Sequence, residues 1–146
     1  MKKEFVMRGQ TKSGQQEVLN FSGYKPGYAY RMTEFQLYGS TGLGAGNFSG
    51  FGIITAAKTT TAPTDPNFND EGLIAVSMFQ LPTSPSYPVS SQTIVNDTFL
   101  ITQNLILMVQ EENGTPVNWQ CRFESVKMSG PEEATANYKQ FTISDG

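Results

Sequence analysis

The sequence predicts an all-β domain: an antiparallel β-sandwich, jelly-roll-like, with long Gly/Pro-rich loops. Three observations carry this expectation. Val117 to Met128 (VNWQCRFESVKM) alternates apolar and polar residues, the pattern of a strand with one face on a core and the other in water. Short apolar or β-branched runs recur along the chain, each closed by Gly, Pro or Asn. No window has the spacing of a convincing amphipathic helix, and PEEATANYKQF near the end comes nearest. Roughly seven or eight strands joined by such loops fit two packed sheets better than any helical layout.

Each element follows from local chemistry. Lys3 to Arg8 (KEFVMR) places Phe5 and Met7 on one face; GQTKSGQ breaks the run, and Glu17 to Phe21 resumes it with Leu19 and Phe21. These two runs are expected to form a hairpin closed near Ser13-Gly14. Tyr24-Lys25-Pro26-Gly27 reads as a turn, because Pro presets φ and the Gly beside it tolerates positive φ. Tyr28 to Tyr38 is a long strand whose β-favouring residues are scattered on both faces. Phe51 to Ala57 is the next strand, and Lys58 to Gly72 a long polar connection.

Leu73 to Leu81 (LIAVSMFQL) is almost uniformly apolar, as a strand covered on both faces would be. The proline-rich LPTSPSYPVSSQ then forms another loop, and Thr93 to Gln110 holds two apolar runs. Asn113-Gly114 is the strongest turn signal in the chain, so Leu105–Gln110 and Val117–Phe123 are expected to pair as a hairpin. Residues 1–130 form a single β-sandwich domain on this reading. Residues 131–146 form a polar C-terminal tail that a neighbouring subunit would order.

Composition narrows the chemistry. A chain of 146 residues suits one domain that buries about two-thirds of its unfolded surface. A formal net charge of −3 with no basic stripe argues against nucleic-acid binding. No apolar window reaches membrane-spanning length, and MKKEFVMRGQTKSG lacks the apolar run of a signal peptide, so the chain is expected to be made in a cytoplasm and either to stay there or to leave by assembly or lysis. There is no His, which removes the commonest general base and catalytic metal ligand. The single Cys121 cannot form an intramolecular disulfide and, inside an apolar alternation, reads as a buried inert thiol.

The stretch YGSTGLGAGNFSGFG, residues 38–52, invites comparison with a phosphate cradle. It fails: the sixth position counted from Gly42 is Asn47 and from Gly44 is Ser49, and no Lys lies between Lys25 and Lys58. A strand-connecting loop held by a neighbouring subunit is expected instead. Asp65, Asn67 and Asn69 match the first, third and fifth positions of a calcium loop. Asp70 stands where that loop needs Gly, and Val76 where it needs Glu, so a solvated turn and no cofactor are expected, the alternative being an irregular calcium site on Asp65, Asn67, Asn69 and Asp70. The carboxylate pairs Asp70/Glu71 and Glu111/Glu112 are adjacent residues of turns and read as solvated charge rather than an acid–base dyad, so no enzyme is expected. At 12% aromatic, the chain has Phe and Tyr residues near its loops that could serve an interface; the candidates are Phe5, Phe48, Phe51, Tyr87, Tyr138 and Phe141.

Taken with the lysine-led start, the segments YKPGYAYRMTEFQLYG and LITQNLILMVQEENGTPVNWQCRFESVKMSG carry a resemblance over most of residues 1–130. The chain resembles small virion structural proteins of marine tailed bacteriophages, of the kind that decorate or cement a head shell. That resemblance implies a β-sandwich building block present in many copies, homo-oligomeric, located in the virion and made in the host cytoplasm. Its partners would be the major capsid protein or other virion proteins, with no nucleic acid and no membrane. The N-terminal strand or the C-terminal tail would act as a bridging arm. The alternative is a receptor- or glycan-binding module of a tail fibre or head fibre, with the loop aromatics displayed outward.

Overall fold

The structure is a computed structural model and describes residues 3–21, 27–40, 48–56, 64–81, 90–132, 134–136 and 138. Eight strands build two antiparallel sheets: β1 (Glu4–Thr11), β2 (Gln16–Leu19), β3 (Tyr28–Gly39), β4 (Phe48–Thr55), β5 (Leu73–Leu81), β6 (Ser90–Val95), β7 (Leu105–Glu111) and β8 (Val117–Lys127). One sheet has the order β1-β8-β3 and the other β2-β7-β4-β5-β6. The pairings β1/β8, β2/β7 and β4/β5 nest one inside the next, as in an antiparallel ribbon rolled into a jelly roll. The remaining couple, β3 and β6, pack against each other across the layers, but β6 is hydrogen-bonded only to β5.

The two expected hairpins are not hairpins. β1 pairs with β8 and β2 with β7, so the turn at Ser13-Gly14 carries the chain from one sheet to the other. The Asn113-Gly114 turn likewise leads from β7 in the five-stranded sheet to β8 in the three-stranded one. Turn chemistry was read correctly, since Gly14 and Gly114 both have positive φ, at 81° and 78°. What a turn signal cannot report is which sheet receives the next strand. Alternation along β7 and β8 suits an arch over the core as well as a hairpin.

The two corners are joined by Glu111. Its backbone N–H donates to Ser13 Oγ at 2.8 Å, and Gly14 N–H donates to Val109 O at 2.8 Å. The Glu111 side chain then turns into its own corner: Oε2 accepts Asn113 N–H at 2.7 Å and Thr115 N–H at 3.0 Å. Sequence reasoning placed this carboxylate in solvent, but the residue is 3% exposed while Glu112 remains exposed. Burial follows from register, because Glu111 continues the inward series Leu105, Leu107, Val109.

Within β3 a register shift between Met32 and Glu34 marks a bulge at Thr33. It explains why the apolar residues of this strand fall on both faces of a regular alternation. The extra residue rephases the strand, so Met32, opposite Phe123, and Phe35, opposite Cys121, both enter the core. From β8, Val117, Trp119, Cys121 and Phe123 enter the same core as expected. Phe5 is half-buried and packs on Phe123, with ring centroids 5.4 Å apart, and on Tyr30 at 5.5 Å.

Trp119 Nε1–H donates to Thr11 Oγ1 at 2.9 Å, and both residues are buried. Thr11→Val keeps the shape and removes the acceptor, so we expect a loss of about 1–3 kcal/mol. That is a fall of about 3–10 °C in the unfolding midpoint, read on the fluorescence of the single tryptophan. Burial also pushes the Cys121 thiol up to about 12. In the native protein at pH 8 it should resist a thiol-reactive dye and react promptly once denatured. An unfolded thiol ionises near about 8.5. The unfolded state therefore loses its proton first, and the contribution of this group to stability should fall as pH rises from about 9 toward the folded value.

After β8, residues 130–132, 134–136 and 138 are helical. This falls within the segment that came nearest to a helix in the sequence. A start signal is present there: Ser129 and Glu132 form a capping box, with Ser129 Oγ donating to Glu132 Oε1 at 2.9 Å and Ser129 N–H reaching the same oxygen at 3.4 Å.

Candidate interaction surface

The outer faces of the two sheets differ in chemistry. On β1-β8-β3 the outward residues, which include Val6 and the exposed Tyr38, are mostly polar, and several are paired. Arg122 lies between Glu34, at 3.5 Å, and Glu4, at 3.9 Å; Arg31 pairs with Glu124; and Gln10 Nε2 donates to Asn118 Oδ1 at 3.0 Å. Such a face is satisfied in water.

The five-stranded sheet is different. Its inner face is fixed by Leu105, Leu107 and Val109 of β7, so the alternate residues of each strand point outward. Register then lines up Met108, Ile53, Val76 and Ile94 in one row across β7, β4, β5 and β6. Phe51 and Met78 lie on one side of this row and Val18, opposite Ile106, on the other, while Gln16 is the β2 partner of Met108. Val18 is 62% exposed and Ile94 46%, whereas Ile53 in the middle of the row is buried at 2%. β5 is thus apolar on both faces, as its composition suggested, yet its outer residues Val76 and Met78 are only half-buried.

The segment 64–70 runs beside this face. Phe68, 61% exposed, stands with Thr64 and Pro66 along a groove of about 270 Å³ whose floor is Phe51, Val76, Met78 and Ile94. A second groove of about 440 Å³ opens on the other side of Phe68, toward Leu73, Val95 and Phe99. Turn geometry holds this segment: Asn67 Oδ1 accepts Asn69 N–H at 3.0 Å and Asp70 Oδ1 accepts Gly72 N–H at 2.9 Å. Two of the four residues weighed as calcium ligands therefore use a side-chain oxygen on the backbone of their own turn, and Asp65 and Asn69 are exposed beside them. Among the described residues, no three His, Cys, Asp or Glu side chains converge as a metal site would require.

The aromatic candidates separate in space. Phe51 belongs to the apolar outer face, whereas Phe5 belongs to the aromatic cluster at the core edge. Phe48 opens β4 opposite Leu81, and Tyr138 is 73% exposed in the C-terminal helix. Tyr87 and Phe141 lie outside the described residues, as do residues 41–47 of the glycine-rich stretch. All eight residues of β1 pair with β8, and β1 forms one edge of the three-stranded sheet.

Sequence reasoning missed the contribution of Val18, Met78 and Ile94 to one surface. Strand alternation could have placed Met78 and Ile94 outward, but only sheet order aligns them. No protein-family model matches the chain, and none of the curated proteins does.

Proposed function

We propose that the chain is a structural protein of a phage particle that works by binding neighbouring virion proteins, the major capsid protein foremost. On this reading the outer face of β2-β7-β4-β5-β6 is the surface that docks. The observation that carries the proposal is the contrast between the two outer faces: one mostly polar and ion-paired, with Val6 and Tyr38 as its apolar members, the other an aligned apolar row with Phe68 beside it. Monomeric soluble proteins seldom leave a large contiguous apolar patch open to water. The resemblance of residues 1–130 to head-decorating proteins supplies the kind of partner, and a jelly-roll sandwich is an architecture that such building blocks use.

Quantitative mass spectrometry of purified virions tests the reading. The expected result is many copies per particle. Absence of the chain, or one or two copies, would overturn decoration. Phe68→Asp alters an exposed side chain and should leave the fold intact, while lowering incorporation into particles at least tenfold; unchanged incorporation would remove this face from the contact.

A further inference from the structure

The free edge of β6 identifies a second contact. The backbone bond from Asn96 N–H to Ile74 O, 2.7 Å, fixes the phase of the β5/β6 ladder. With the register Ala75↔Val95 through Gln80↔Ser90, the hydrogen-bonded pairs are those of Ile94, Gln92 and Ser90. The N–H and C=O groups of Ser91, Thr93 and Val95 therefore point away from the sheet. No described residue bonds to them. In a fully closed jelly-roll ribbon β3 would occupy this edge, but here β3 only packs against β6.

Exposed edges are ordinarily defended by charge, shortness or proline. β1 carries Glu4 and Arg8; β2 has four residues and carries Glu17; β3 carries Arg31 and Glu34, and Ile101 bonds to its free side at Tyr30. β6 reads SSQTIV, six residues without charge or proline, and its first five are exposed. It is the one undefended edge among the described strands.

We propose that this edge pairs with β6 of a second copy of the chain, antiparallel about a two-fold axis at Thr93. The chemistry selects the occupant. Only an extended strand can satisfy outward N–H and C=O groups at two-residue spacing, and a neutral edge meets its own copy without repulsion. In this register Thr93 faces Thr93, while Ser91 faces Val95, and every outward group of the three residues finds a partner. Ile94 of one copy then lies opposite Gln92 of the other, and beyond that glutamine the row resumes at Met78 of the second copy. The inference does not depend on the phage reading: a dimer would stand if the chain were absent from virions, and a monomer would leave the virion test untouched.

Sedimentation at about 100 µM, above the micromolar range where modest interfaces dissociate, should give twice the 16.0 kDa chain mass. Ser91→Pro removes an outward N–H only, leaving the β5/β6 ladder intact, and should give a folded monomer with an unchanged circular-dichroism spectrum. Amide hydrogen exchange on the unmodified chain provides a readout that needs no variant. Ser91, Thr93 and Val95 should be protected as strongly as Gln92 and Ile94 in the dimer, and should exchange freely on dilution. A chain of 16.0 kDa at that concentration, a Ser91→Pro dimer, or a dimer in which these three amides exchange freely would each overturn the proposal.

Discussion

Gly50→Ala should be among the most damaging single-methyl changes in this protein, costing about 2–4 kcal/mol. A Cβ built at Gly50 would stand 2.1 Å from Phe79 Cε1 and 2.3 Å from Cζ. The two residues are register partners on β4 and β5, and the Phe79 ring folds over the glycine to fill the space a side chain would take. Phe79 cannot simply swing aside, because it is buried in the core and its far edge lies 3.7 Å from where a Cβ on Gly39 would be. Thermal unfolding should show a fall of about 5–15 °C. The double variant Gly50→Ala/Phe79→Leu, which removes the ring, should be less unstable than the two single changes added together. Simple additivity would show that the clash is not the cause. Gly52→Ala should be milder, since its nearest neighbours, Leu37 and Phe35, stand at 3.0 Å and belong to the other sheet.

Glu111→Ala is the second large effect. It deprives the Asn113 and Thr115 N–H groups of their acceptor and leaves a void at the junction of the two corners. A loss of about 2–4 kcal/mol is expected, most of it from stranded donors. Glu111→Gln keeps one carbonyl oxygen that can take both bonds, so it should retain at least half of that stability. Chemical denaturation of the three proteins decides this. If the glutamine variant is as unstable as the alanine variant, charge rather than hydrogen bonding holds the corner.

The fold class was legible because it rests on alternation, a local property. Val117 to Phe123 showed its buried face directly, and Leu73–Leu81 was delimited as the strand that forms. Partner choice was not legible. The Ser13-Gly14 and Asn113-Gly114 turns bend the chain just where expected, yet each crosses between sheets, because nothing in a turn tells a strand whether to lie beside its predecessor or above it. The bulge at Thr33 was hidden for a related reason: one inserted residue changes the phase of the apolar pattern without leaving a compositional mark. Glu111 was misplaced because its neighbours look solvated, and only the register of β7 turns it inward.

The candidate surface was less legible than the fold. Phe51 was singled out as an interface residue and belongs to the apolar face, but Val18, Met78 and Ile94 acquire meaning only when β2, β5 and β6 take their places in one sheet. Hydrophobicity was visible in each strand; adjacency was not.

The nested pairing also sets an order in time. Every residue of β1 meets a partner on β8 that is more than 100 residues further along the chain. On a ribosome β1 emerges first, and it cannot be paired until β8, the last strand of the sandwich, has been made. Phe5 and Met7 must spend that interval without their core. Non-local pairing of this kind folds slowly, in milliseconds to seconds. A chain halted before β8 would lack the centre of the three-stranded sheet, leaving β1 and β3 without a common neighbour. The sandwich is therefore closed from its inner pair outward, β4/β5 first, and the outermost pair, β1/β8, seals it only once β8 has been made.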